Sequence, residues 1–200
     1  MHANALESII DSYRASFQKH GSGPAAGQWS PEGQRFRFAR LTQIGALQGK
    51  KILDLGCGIG DFYPYLLQHV GAVNYTGIDI VPEVIAYATD KYSSGRFLCR
   101  NVLTEGVDDS FEYVLISGAF NAPPLAAPTD FLKDVLARAF ALCTVGLGFN
   151  FLSTYNNFSD PHMNYHDPLE VLRYCLASLT RKVTLHHHYE RCDVAVFAYR

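Results

Sequence analysis

From Lys50 onward the chain alternates short apolar runs with helix-length amphipathic segments, and few architectures accept that rhythm. Short strands separated by helices need crossover connections, so the pattern predicts repeated βαβ units and a parallel sheet. Ile52 to Leu55, Val73 to Ile78, Arg96 to Cys99, Tyr113 to Ile116 and Leu147 to Leu152 read as five strands. Asp61 to Val70, Pro82 to Tyr92 and Thr129 to Leu142 read as the helices between them. Asp167-Pro168-Leu169-Glu170 is a helix start with a capping pair, which predicts another helix over about Pro168 to Leu179. Lys182 to Tyr189 and Val194 to Tyr199 then alternate like strands, with only Glu190 to Asp193 between them. So short a link cannot make a parallel crossover, and the two are expected to pair antiparallel at the sheet's edge.

The first fifty residues are different in texture. Ala3 to Lys19 carries Ala5, Leu6, Ile9, Ile10, Tyr13 and Phe17 at helical spacing, and His20 to Gln28 breaks it with glycines and a proline. Ser30-Pro31-Glu32 starts a second helix, since Ser accepts from a free amide, Pro fits the first turn and the acid complements the dipole. That helix is expected to run to about Gly45. The whole reads as one domain, residues 1–200, with a helical cap over 1–49 and the sheet and its helices over 50–200.

Composition narrows the partners. With 48% hydrophobic and 18% charged residues the chain is too apolar for disorder, and a net charge of −2 offers no general attraction to nucleic acid or anionic lipid. Met1 to Glu7 lacks the basic region and apolar run of a secretory signal, and Phe140 to Phe149 is too short and too interrupted to span a bilayer. A soluble, cytoplasmic protein is the expectation. Cys57, Cys99, Cys143, Cys175 and Cys192 form no C-x-x-C pair, so they are read as small buried hydrophobes.

The chemistry concentrates in Asp54-Leu55-Gly56-Cys57-Gly58-Ile59-Gly60-Asp61, where a strand gives way to a helix. Glycines in such a turn allow positive φ and close approach of a ligand to the backbone. The spacing is G-x-G-x-G; Asp61 stands where the dinucleotide fingerprint has its third glycine. Asp54 at the strand end would repel a pyrophosphate but suits a ligand carrying an ammonium group. About twenty residues on, Thr76-Gly77-Ile78-Asp79 ends the second strand in a carboxylate able to accept two hydrogen bonds from a ribose diol. Asp61 itself is either a helix cap or a ligand contact.

Together these residues resemble the class I S-adenosylmethionine-dependent methyltransferases, and the order of elements from Lys50 to Arg200 resembles their fold. The resemblance implies an α/β, Rossmann-like three-layer αβα sandwich, with a mostly parallel seven-stranded sheet and an antiparallel last strand. Trp29-Ser30 and Gln34-Arg35-Phe36 also look like a lead-in of small bacterial members. It further implies S-adenosylmethionine as cofactor, with Gly56, Gly58 and Gly60 along its methionine and ribose parts, Asp54 at the amino group and Asp79 at the ribose. Arg35 is the candidate for the methionine carboxylate, with a plain surface position as its alternative. Trp29, Ile80, Val102 and Ser117 are further candidate cofactor contacts. The third strand departs from the family's usual Asp by carrying Asn101, whose side-chain oxygen can still accept from the adenine amino group.

The turn after the fourth strand, Ser117 to Pro124, lies in that family beside the transferable methyl group. Phe120 and Asn121 are expected as a wall and a polar handle of the acceptor pocket. Ala122 interrupts any match to the Asn-Pro-Pro-aromatic motif of amino methyltransferases. Ser153 to Asp167 is a long loop rich in aromatic, amide and histidine groups. Tyr155 and Tyr165 are candidate acceptor contacts, and His162, His166 or Tyr155 candidate catalytic groups. His186-His187-His188 invites a metal, but alternation puts only two of them on one face and no further ligand stands at suitable spacing, so no metal site is expected. The reading is methyl transfer to an O or N atom of a small-molecule acceptor. An NAD-dependent oxidoreductase, a non-catalytic S-adenosylmethionine-binding protein and a nucleic-acid methyltransferase are its rivals.

Overall fold

The computed structural model describes residues 3–27, 29–121, 123–187 and 192–200. Local chemistry sets most element boundaries. Ser30 accepts from the Gly33 amide at 3.1 Å and Pro31 occupies the first turn, so α2 runs Pro31–Leu41 and tightens into a 3-10 turn, Thr42–Ile44. Asp167 likewise accepts from the Leu169 amide at 2.9 Å and starts α6, Pro168–Tyr174, which widens into a π turn over Cys175–Leu179. Glu170 does not reach back to complete a capping pair. Its carboxylate takes Lys133 Nζ at 2.7 Å, which clamps α6 to α5, Pro128–Leu142.

The strands are β1 Lys51–Leu55, β2 Asn74–Asp79, β3 Arg96–Cys99, β4 Phe111–Ile116, β5 Cys143–Leu152, β6 Val183–His186 and β7 Asp193–Tyr199. They form one sheet in the order β3-β2-β1-β4-β5-β7-β6. The first five are parallel, and β7 is antiparallel to both β5 and β6, as the short final link requires. β5 begins four residues earlier than the apolar pattern indicates. Its glycines are packing positions: a Cβ on Gly148 would stand 3.1 Å from Leu115 and 3.2 Å from Ile44. The histidine run ends β6 at His186, and residues 188–191, with His188 and the first part of the final turn, lie outside the described residues.

Alternation along each strand feeds two cores. Leu53 and Leu55 of β1 join Leu132, Leu136 and Phe140 of α5 on one face, with Val171 and Cys175. Ile52 joins Phe38 and Leu41 of α2 and Phe62 and Leu66 of α3, Phe62–His69, on the other. There Phe38 and Phe62 stack with centroids 4.3 Å apart. α1, Ala3–His20, reaches over the carboxyl ends of the strands. Its Arg14 bonds Glu83 of α4, Pro82–Lys91, at 2.6 Å, and its Phe17 packs edge-on against Tyr87. Cys57, Cys143 and Cys175 are buried, whereas Cys99 is exposed at the end of β3, which has an exposed edge. No helix among the described residues is long and apolar enough to cross a membrane.

Chain order reverses between β1 and β4, which opens a crevice beyond their carboxyl ends. The turn that floors it depends on Gly60, at φ +80°, where a Cβ would meet Phe97 at 2.8 Å and Ala88 at 3.2 Å. Gly60→Ala therefore combines a strained φ with a clash and is expected to destabilise the fold by about 1–3 kcal/mol or more. Urea unfolding should show a lower midpoint at unchanged slope.

Candidate active site

The crevice is organised by two carboxylates at neighbouring strand ends. Gly56 and Cys57 leave β1 by donating to the Ile78 carbonyl at 2.7 and 3.1 Å, which bends the backbone across β2. Asp79 then braces the turn from the other side: Oδ2 accepts from the Gly58 amide at 2.8 Å and Oδ1 from the Val81 amide at 3.0 Å. A carboxylate has about four acceptor positions, so lone pairs remain that a diol can use. Gly58, at φ +52°, has nothing within 4 Å of where a Cβ would be, so the turn is open toward the cleft.

Asp54 is 2% exposed and receives the Tyr75 hydroxyl at 2.6 Å. Burial pushes its carboxyl up to about 7; the Tyr75 bond opposes the shift and the nearby Asp79 adds to it. Asp79 is also raised by burial, against the pull of its backbone donors. One buried acid beside one half-buried acid, with no cation among the described residues bonded to either, leaves the end of the cleft short of positive charge, which a ligand ammonium would supply. The Cys57 thiol, buried beside the same acids, is pushed well up and is inert as a nucleophile.

Of the residues singled out in the sequence, Trp29, Asp54, Gly56, Gly58, Asp79, Ile80, Asn101, Val102, Ser117 and Phe120 line this cleft together. Gly60 supports the turn from behind. Arg35 does not reach the cleft: it lies exposed in a shallow hollow with Tyr65 and His69 on the outer side of α2. The guanidinium on the cleft side is Arg37, two residues on, because Arg37 shares the buried stripe of Gly33, Phe38 and Leu41. Asn101 uses Oδ1 to accept from the Leu103 amide at 2.9 Å, which leaves its Nδ2 as the group to offer a ring nitrogen. Asp61 stands at the N-cap position of α3, but its side chain caps no amide. It accepts from Tyr92 at 3.1 Å, Gln34 at 3.4 Å and Lys91 at 3.5 Å, and so ties α2 to the end of α4 at the cleft's rim.

The long loop after β5 sends none of its candidates to the cleft wall. Tyr155 is 60% exposed and packs edge-on to His187, and His162 is exposed. The Tyr165 hydroxyl accepts from the Asp160 amide at 2.9 Å within the loop itself. His166 is buried against Phe151, shares a hydrogen bond with Thr129 Oγ1 at 3.2 Å, and is lowered from its ordinary value by burial. It acts as a structural histidine, with Nε2 3.4 Å from the Phe120 carbonyl.

Asn164 is the loop residue that reaches the site indirectly. Its Nδ2 donates to the Pro123 carbonyl at 2.7 Å, its Oδ1 accepts from the Leu125 amide at 2.8 Å, and its own amide donates to the Asn121 carbonyl at 2.7 Å. That clasp shapes the turn after β4. Asn121 beside it is fully buried with neither side-chain amide atom hydrogen-bonded. The roof comes from Leu6, Ile9 and Tyr13 of α1, residues whose apolar stripe in the sequence signals burial but not against what. Among the described residues no group of three or more His, Cys, Asp or Glu is placed to hold a metal.

A family model described as a methyltransferase domain matches residues 52–140. A protein of Mycobacterium tuberculosis named as a methyltransferase is 28% identical over 151 residues, 73% of this chain and 90% of that one. A malonyl-[acyl-carrier protein] O-methyltransferase of Paenibacillus is 30% identical over 171 residues, and the match spans 62% of its length. The solved magnesium protoporphyrin IX methyltransferase of Synechocystis, with S-adenosylmethionine bound, superposes with a TM-score of 0.67 at 15% identity, over 98% of this chain and 95% of that one. That likeness shows the fold; the two strand-end acids, open glycine turn and G-x-G-x-G spacing fit the same cofactor, and the dinucleotide reading falls away. The methyltransferase-domain match, the methyltransferase relatives, the shared fold and the cleft together support a class I S-adenosylmethionine-dependent methyltransferase, with S-adenosylmethionine as the cofactor that the site fits.

Proposed function

We propose that this methyltransferase delivers the methyl group to an oxygen or nitrogen atom of a small-molecule acceptor in the cytoplasm. The observation that carries the reading is the enclosure of the cleft: α1 roofs it with Leu6, Ile9 and Tyr13, and Trp29 and Phe120 stand on its walls. Little room is left for a macromolecular surface, and a net charge of −2 adds no pull on nucleic acid.

S-adenosylmethionine supplies a methyl group on a sulfonium, an electrophile that needs no activation by the protein. Asp54 takes the amino group, Asp79 the ribose hydroxyls and the Asn101 amide the adenine edge. Arg37, rather than Arg35, is assigned the methionine carboxylate on the ground that it lines the cleft, through Nη1, since Nε and Nη2 are held by Asp193. Ser117 and Gly118 follow β4 beside the transfer point and Phe120 forms the acceptor wall, whereas Asn121, the expected polar handle, is sealed behind that wall and does not line the cleft. No histidine lines the cleft among the described residues. An acceptor that arrives with an available lone pair, as a carboxylate oxygen or unprotonated amine does, fits that wall. The protein's share is then alignment and exclusion of water. The likeness to malonyl-[acyl-carrier protein] O-methyltransferases favours a second reading, an acyl acceptor carried on a protein.

Two experiments bear on this. Because a ligand ammonium requires ionised Asp54, whose free carboxyl sits at about 7, binding at lower pH must expel a proton. Calorimetry should show affinity for S-adenosylhomocysteine falling by up to about tenfold per pH unit well below that value. Asp54→Asn should flatten the acid limb and weaken binding about ten- to a hundredfold at pH 7.5, as for a lost charge-assisted bond. In the second, methyl-labelled cofactor is incubated with a low-mass metabolite fraction and, separately, with acylated carrier protein. Label in low-mass products is expected; label on the carrier protein alone would overturn the small-molecule reading.

A further inference from the structure

Five residues from separate segments close a buried circuit beside the turn after β4. The Gly118 amide donates to Asn150 Oδ1 at 2.8 Å, and Asn150 Nδ2 donates to Asp193 Oδ1 at 3.2 Å. Asp193 receives Arg37 Nε and Nη2 at 2.9 and 2.7 Å, a two-point fork with a single favourable orientation. The Arg37 guanidinium lies 3.9 Å from the centre of the Trp29 indole. Trp29 in turn covers Gly118 so closely that a Cβ there would stand 2.5 Å from its ring, which closes the loop.

Arg37, Asn150 and Asp193 are all buried, at 6%, 1% and 2% exposure. A buried ion pair is no better for stability than well-packed apolar groups of the same size, because both charges must be desolvated. Direction is what the polar circuit adds. Each bond admits one orientation of the next group, and the chain of bonds ends on two groups that line the cleft, Trp29 and Gly118. Asn150 and Asp193 do not line it, so they act through those two.

We propose that Asn150 and Asp193 are positioning residues for methyl transfer, holding the Trp29 indole and the Gly118 turn as the walls between which acceptor and transferable methyl meet. The proposal rests on the acceptor pocket lying at that end of the cleft. It also explains why α2 is bonded to β7, the antiparallel strand: Asp193 is the first residue of β7, and it reaches both Arg37 and the β5 side chain next to it.

Trp29 is the sole tryptophan of the chain, so its emission reports this one place. In Asn150→Ala, folded by far-UV circular dichroism, Trp29 emission should shift to the red and acrylamide quenching should rise without any ligand. S-adenosylhomocysteine should bind about fivefold more weakly, the equivalent of one lost hydrogen bond. Asp193→Asn keeps the shape and removes the charge, and should move the same readouts further; if it does not fold, Asn150→Ala decides alone. Wild-type emission, quenching and affinity in folded Asn150→Ala would overturn the proposal. So would a displaced Trp29 with undiminished binding and transfer. Emission of the ligand-free variants reads the circuit, whereas S-adenosylhomocysteine binding and labelled product with the unaltered protein read the cofactor seat and the acceptor, so the readings fail separately.

Discussion

The carboxylate of Asp79 is the constraint on which the site depends. Its two oxygens hold the Gly58 and Val81 amides, and so fix the turn after β1 relative to the turn after β2. Without that brace the three glycines would be the loosest stretch of the chain, since positive φ at glycine gains nothing by itself and costs backbone entropy. With it, backbone that could wander becomes a shaped floor. The bond is possible only because β1 and β2 are parallel neighbours in register, with Leu55 opposite Ile78, so that both strands end at the same level.

Placing acids there costs stability. Asp54 and Asp79 sit at adjacent strand ends, each raised by burial, and ionising both in that space is unfavourable. The sheet tolerates it because it is covered on both faces and clamped at several points: the Phe38–Phe62 stack, the Arg14–Glu83 pair and the Lys133–Glu170 pair. A positively charged ligand recovers part of that cost, so the strain of the free protein is a share of its affinity for the cofactor.

Fold and site were not equally legible in the sequence. Strand and helix positions follow from apolar periodicity and from caps such as Ser30 and Asp167, which act locally and are therefore readable locally. The glycine-turn end of the cleft was legible for the same reason: a strand end, a glycine turn and the next strand's acid are fixed in spacing by one βαβ unit. Arg35 and Arg37 show where that stops. Both lie on one helix, and only the phase set by Phe38 and Leu41 against the sheet decides that Arg37 faces inward. His166 is a second instance, since a histidine in a long loop reads as functional until Phe151 and the Phe120 carbonyl are found beside it.

By itself, then, the amino-acid order determined the βαβ rhythm, the antiparallel ending forced by a short link, and the Asp54 to Asp79 signature, because each depends on neighbours within one supersecondary unit. The tertiary structure decided which side chains from distant segments share a wall. Arg37 meets Asp193 across 156 residues, and Asn164 clasps Pro123 across 41. Contacts of that separation arise from helix phase and strand register, which are settled only when the two cores close on the sheet.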